Sequence, residues 1–236
     1  MKNTAKFQAF TAGISLITMA ITAGYAYGWV HSSLITESAT KTLENLMENQ
    51  TLFLSGIQAW VLIFLTDLAV SVALYLFYQS THKKAAATMA ILRLVYTGML
   101  GLAIVQLVKV YPLIRNAGAF SLTETAQQVT LHLAQFNTLW SAGLIVFGFH
   151  LAVLAFAILK SDFTPRIFGY LLYIAGFSYI LINAMYRFAL ADPGLTKTLE
   201  QVLTLPMALG EILFAFWLIY FGLKKARPQL ASVLSN

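Results

Sequence analysis

Six stretches of this chain are long, apolar and nearly free of charge: residues 10–30, 52–78, 86–110, 125–159, 165–190 and 205–223. An α-helix rising 1.5 Å per residue needs about 20 residues to cross a hydrocarbon core of about 30 Å. Lipid offers no hydrogen-bond partner to an open backbone, so unbroken apolar runs of this length read as membrane-spanning helices. The pattern predicts an all-α fold, a polytopic bundle of six transmembrane helices forming one membrane domain over residues 1–236. The first run is longer than the apolar core of a signal peptide and is read as a retained helix.

The connections carry their own signals. Residues 31–50 are polar, but Ala39, Leu43, Leu46 and Met47 recur at helical spacing between Glu37, Glu44 and Glu48. That pattern predicts a short amphipathic helix lying on one membrane surface. Residues 80–84 form a short connection. Pro112 is expected to end or kink the third span. Ser121 and Glu124 have capping-box spacing. The run 125–159 exceeds one perpendicular span, so its start is expected to protrude or tilt. Thr164-Pro165 reads as a helix start with proline in the first turn. Asp192-Pro193-Gly194 reads as a turn. Residues 195–204 are expected to form a separate surface helix, with the last span beginning at Leu205. Gly24 and Gly28 have the GxxxG spacing of close helix packing, and Pro206 with Gly210 suggests a broken helix.

Composition supports the membrane reading. Hydrophobic residues make up 59% of the chain and charged residues only 10%, where a soluble domain carries about 25%. Mean hydropathy is +0.74. The net charge of +6 is distributed by side. With six spans, Lys2, Lys6, Lys83, Lys84, Lys160, Arg166, Lys224, Lys225 and Arg227 fall on one side, with Asp162. The other side holds Lys41, Arg115 and Lys197, and also Glu37, Glu44, Glu48, Glu124, Asp192 and Glu200. The positive-inside rule then puts both termini in the cytoplasm. Tyr25, Tyr27 and Trp29 at one edge, and Trp217, Tyr220 and Phe221 at the other, suit membrane interfaces. No basic stripe interleaved with aromatics points to nucleic acid. With no cysteine, disulfides and thiolate metal sites are excluded.

The second half resembles the bacterial domain-of-unknown-function 4386 family of multi-pass membrane proteins. The likeness rests on Phe147-Gly148-Phe149-His150, Leu159-Lys160-Ser161 and Pro165-Arg166-Ile167-Phe168-Gly169. It continues through Leu171-Leu172, Ala175-Gly176 and Tyr179, then Leu205-Pro206, Gly210-Glu211 and Trp217-Leu218. Arg93, between Leu92 and Leu94, also looks like the family's third helix. The resemblance implies a multi-span protein of the bacterial cytoplasmic membrane, and marks Arg93, His150 and Glu211 as family positions. It implies no mechanism.

Four ionisable groups sit deep in the spans: Asp67, Arg93, His150 and Glu211. Counted along their helices, all four fall roughly 12–20 Å from the cytoplasmic edge. A charge at that depth is costly, so it should face the bundle interior and find a partner. Asp67 and Arg93 are the natural ion pair, and His150 and Glu211 are expected to pair with each other or extend the network. This cluster is the candidate site for a small molecule or ion, with a fixed network locking helix register as the alternative. A second polar set lies nearer the outer face: Gln106, His132, Asn137, Asn183 and Arg187, with Lys109 and Arg115. Lys109 and Arg187 are expected to snorkel to the interface, the alternative being an anion-attracting vestibule.

No catalytic residue and no metal site is assigned. His132 and His150 lie on one helix roughly 27 Å apart by rise, and His31 and His82 fall on opposite surfaces, so neither bis-histidine haem nor a histidine zinc site is expected. HExxH, GxSxG and P-loop motifs are absent. The sequence therefore favours a membrane protein that binds or carries a small molecule or ion. A membrane-embedded enzyme and an accessory or scaffold subunit are the alternatives. The lipid bilayer is the only partner assigned; the cofactor and oligomeric state are left unassigned.

Overall fold

The computed structural model describes residues 2–117 and 121–224, and within them the chain is helical almost throughout. Helix α1 (Lys2–Ala23) runs through a π-helical segment (Gly24–His31) into α2 (Ser32–Leu34). Then follow α3 (Ala39–Glu48), α4 (Gln50–Arg115), α5 (Leu122–Leu159), α6 (Arg166–Phe188) and α7 (Pro193–Leu223). Lys225 and Arg227, which contributed to the charge count, lie outside the described residues.

Helix α4 has 66 residues, about 99 Å if straight, three times the hydrocarbon core. It does not run straight. His82 has φ −150° and ψ 78°, outside the helical region. The chain doubles back there, so that Asp67 meets Arg93 and Ser71 Oγ donates to the Ala90 carbonyl at 3.2 Å. The halves 50–81 and 83–115 are thus two antiparallel spans joined at one residue, where a short loop was expected. With α1, α5, α6 and α7 they make six apolar crossings, a polytopic membrane helix bundle.

The outer surface fits this. His150 is 1% exposed, whereas its neighbour Phe149 is 52% exposed. Phe177, Ile91 and Leu102 are likewise more than half exposed. A water-soluble protein rarely leaves so much contiguous apolar surface uncovered; in lipid it is the correct solvent-facing surface.

Glycines set the tight crossings. A Cβ on Gly148 would lie 2.6 Å from the Gly176 carbonyl oxygen, and one on Gly176 would lie 2.7 Å from that of Gly148. Only glycine lets α5 and α6 approach so closely. Gly13 meets Ala215 and Ile219, and Gly222 meets Phe10, so α1 and α7 clasp at that end. The Lys6 ammonium there donates to the Lys224 carbonyl. The expected GxxxG contact does not exist: a Cβ on Gly24 or Gly28 would meet nothing within 4 Å. Both glycines lie in the π-helical segment, where α1 and α7 have parted.

The two ends of the bundle differ in charge. Tyr78 OH bonds Thr164 Oγ1 at 3.0 Å, His82 lies on Phe156, and Phe163 stacks on Tyr78 and against Phe221. The His82 turn, the 160–165 turn and the described chain ends therefore share one end. Lys6, Lys83, Lys84, Lys160, Arg166 and Lys224 gather there. At the opposite end Tyr25 OH meets Ser55 Oγ at 2.7 Å and Tyr186 OH donates to Glu200 at 2.7 Å. Amphipathic α3 packs there with Thr42, Leu43 and Leu46 buried. It is held by Asn45 Nδ2 donating to the Leu34 carbonyl and capped by Ser38, whose Oγ accepts from Lys41 N at 3.3 Å.

Several local expectations fail. Helix α7 starts at Pro193, capped by Asp192 Oδ2 accepting from Gly194 N at 2.9 Å and Leu195 N at 3.3 Å. It runs without a break through Pro206, so there is no separate helix over 195–204. Proline deletes one hydrogen bond, and α7 remains helical on both sides of Pro206. Helix α4 continues past Pro112 to Arg115, and Pro112's carbonyl still accepts from Asn116 N at 3.1 Å. Ser121 caps α5 through its backbone alone: its side chain makes no cap bond, so the capping box is not formed. Pro165 sits at the N-cap of α6 rather than inside its first turn.

Candidate functional site

The four deep ionisable residues divide into two places. Asp67 and Arg93, on the two halves of α4, form an ion pair at 0% and 1% exposure through Oδ1 and Nη2. Arg93 Nη1 lies 3.1 Å from His150 Nε2, and His150 Nδ1 lies 2.7 Å from the Met89 carbonyl oxygen. A carbonyl only accepts, so Nδ1 carries the hydrogen and donates to it. Nε2 then presents its lone pair to the guanidinium, which only donates. His150 is thereby held as a neutral imidazole of one tautomer. Phe147 lies beneath, its ring 5.2 Å from Arg93 Cζ and stacked on His150 at 5.6 Å. Met19 Sδ of α1 accepts from Arg93 Nη2 at 3.6 Å.

This cluster ties both halves of α4 to α5 and α1. Its charges sum to zero, which limits the cost of burying them at bilayer depth. Asp67 Oδ2 and Arg93 Nε have no hydrogen-bond partner among the described residues, because the pair meets end-on rather than as a bidentate fork.

Glu211 does not join it, and His150 pairs with Arg93 instead. Glu211 Oε1 accepts from Tyr179 OH at 3.1 Å. No other donor among the described residues reaches that carboxylate. It faces a cavity of about 840 Å³ enclosed by α1, both halves of α4, α5, α6 and α7. Phe147 is the partition: one side carries Arg93 and His150, the other packs Tyr96 at 4.9 Å and Tyr179 at 5.2 Å and lines the cavity.

The cavity follows α7 from Glu200 to Glu211, eleven residues or about 16 Å. Its floor, where α1 and α7 clasp, is formed by Glu211, Tyr179, Phe147 and Met19. Its wall carries Trp60 and Trp140, 5.1 Å apart edge to face, and Tyr27, 4.9 Å from Trp140. Its mouth carries Asn137, Arg187, Thr204 and Glu200, the last accepting from Tyr186. The unoccupied side of Gly24 opens into it, so the π-helical segment is where α1 bends away to make the space. Such interruptions recur at functional sites.

The outer polar set also divides. Asn137, Asn183 and Arg187 line the cavity, with Asn183 Nδ2 donating to the Tyr179 carbonyl at 2.9 Å. Gln106 and His132 lie outside it and satisfy each other at 2.9 Å. Arg187, expected to snorkel, stands at the cavity mouth, while exposed Lys109 is not in the lining. Sequence reasoning missed Glu200, assigned to a separate surface helix, and the aromatic residues Tyr96, Trp60 and Trp140. Their sequence positions look like ordinary span residues, and only the helix arrangement turns them to one space.

A family model described as Domain of unknown function (DUF4386) matches residues 11–222. The chain belongs to that family. The match takes in all six crossings, the buried cluster and the cavity. A relative from Archaeoglobus fulgidus, titled an uncharacterized protein, is 30% identical over 163 residues, 69% of this chain and 81% of its own. No solved structure matches.

Proposed function

We propose that this member of the DUF4386 family is a cytoplasmic-membrane protein that binds a small, largely apolar molecule in the cavity above Glu211. The observation that carries this reading is the cavity itself. Drug-sized ligands occupy pockets of about 300–1,000 Å³ with apolar and aromatic walls and a few placed polar groups. At about 840 Å³, with Trp60, Trp140, Tyr96 and Phe147 as wall and Glu211, Asn183 and Asn137 as polar points, the cavity has that composition.

Binding is a better reading than catalysis. Among the described lining residues there is no histidine, lysine or cysteine, so Glu211 would have to work with only the weakly acidic Tyr179 hydroxyl hydrogen-bonded to it. It is also a better reading than a purely structural network. The structural network is the Asp67–Arg93–His150 cluster, to which Glu211 makes no hydrogen bond. The lysine-rich end is assigned to the cytoplasm by the positive-inside rule, so the cavity mouth faces outward.

The test is native mass spectrometry of the chain purified in mild detergent, compared with Ala208→Phe, which places a ring in the cavity. A stoichiometric non-lipid mass present in the parent and absent from the variant is the expected result. A clean apo mass for the parent, with no added mass after incubation with a panel of hydrophobic amines, quinones and sterols, overturns the reading.

A further inference from the structure

We propose that the cavity selects organic cations: molecules with an ammonium or similar positive centre on an apolar body, seated with the charge against Glu211. This deepens the binding reading above and rests on it.

Two observations converge. The first is the distribution of charge. The lining carries two carboxylates, Glu211 and Glu200, and one guanidinium, Arg187. Arg187 and Glu200 are both at the mouth, leaving Glu211 alone at the floor. The nearest buried cation, Arg93, is already paired with Asp67 and packed against the Phe147 ring. A ligand reaching the floor therefore meets a single acceptor-rich group whose only described donor is the Tyr179 hydroxyl. A positive group supplies what that carboxylate lacks.

The second is the aromatic floor. Phe147 sits between Tyr96 and Tyr179, with centroids 4.9 and 5.2 Å away, and Tyr179 hands its hydroxyl to Glu211. Aromatic faces beside a carboxylate are the arrangement that attracts alkylammonium groups, because the ring quadrupole is negative on its face. An anion would meet the opposite: a carboxylate and ring faces, with hydroxyl and indole donors but no cationic side chain below the mouth among the described residues.

Tetraphenylphosphonium, tetraphenylborate and triphenylphosphine oxide make the test, as bulky aromatic probes that are cationic, anionic and neutral. Trp60 and Trp140 line the cavity, so binding to the full chain in detergent reads out as tryptophan fluorescence, with Ala208→Phe as the blank for partitioning. The expected result is saturable binding of the phosphonium at least ~10-fold tighter than that of the borate, with Glu211→Gln removing most of that preference. The neutral probe should be indifferent to Glu211→Gln. Equal binding of all three probes overturns charge selection while leaving small-molecule binding intact. Failure of all three, with a clean apo mass, overturns both. The ratio of phosphonium to borate in the parent chain decides the question even if Glu211→Gln does not fold.

Discussion

Arg93 Nη1 stands 3.1 Å from His150 Nε2, so a guanidinium on one span is held by the lone pair of an imidazole on another. With Asp67 on its other side, Arg93 is the hinge pin of three helices. A buried ion pair is costly to break one partner at a time, because the remaining charge is stranded.

Asp67→Asn should therefore destabilise the chain by about 3–5 kcal/mol, the usual cost of leaving one buried charge unpaired. Asp67→Leu combined with Arg93→Met removes both charges and should recover much of that loss. Thermal unfolding in mild detergent, followed by helical circular dichroism, measures both. A double variant no more stable than Asp67→Asn would mean that the pair's value lies in more than charge balance.

The glycines give a contrast within one protein. Gly148→Ala drives a Cβ to 2.6 Å from the Gly176 carbonyl oxygen, and overpacking of this kind costs about 1–3 kcal/mol. Gly28→Ala meets nothing within 4 Å and should be neutral or stabilise by up to ~1 kcal/mol through helix propensity. The same unfolding measurement orders them. Equal effects would contradict the α5–α6 contact.

The chain has no cysteine, which makes orientation directly accessible. Lys84→Cys at the His82 turn and Lys197→Cys at the start of α7 are both exposed and lie at opposite ends of the bundle. A membrane-impermeant maleimide should label Lys197→Cys in intact cells and Lys84→Cys only after permeabilisation. The reverse pattern would turn the cavity mouth toward the cytoplasm.

The buried cluster was half legible in the sequence. Helix depth placed Asp67, Arg93, His150 and Glu211 at one level, because rise per residue is fixed. Depth does not fix azimuth. Asp67 and Arg93 were the natural pair, since they lie at similar depth on adjacent spans joined by one short turn. Whether His150 or Glu211 joined them depended on which faces α5 and α7 turn inward: His150 Nε2 meets Arg93, whereas Glu211 takes the Tyr179 hydroxyl.

What the sequence determined alone is the class of structure: six apolar runs, helical because lipid leaves the backbone no other partner, with their basic ends collected on one side. It also determined that the deep charges would be buried and mostly paired. Only the tertiary structure decided where the bundle is tight and where it is open. Gly13 and Gly222 clasp α1 to α7 at one end, Gly24 and Gly28 touch nothing, and the space between them becomes the cavity. Gly24 and Gly28 have the spacing of a packing motif and Gly13 and Gly222 do not, yet it is the latter that pack; contact is a property of two helices together, and neither helix's sequence contains the other's position.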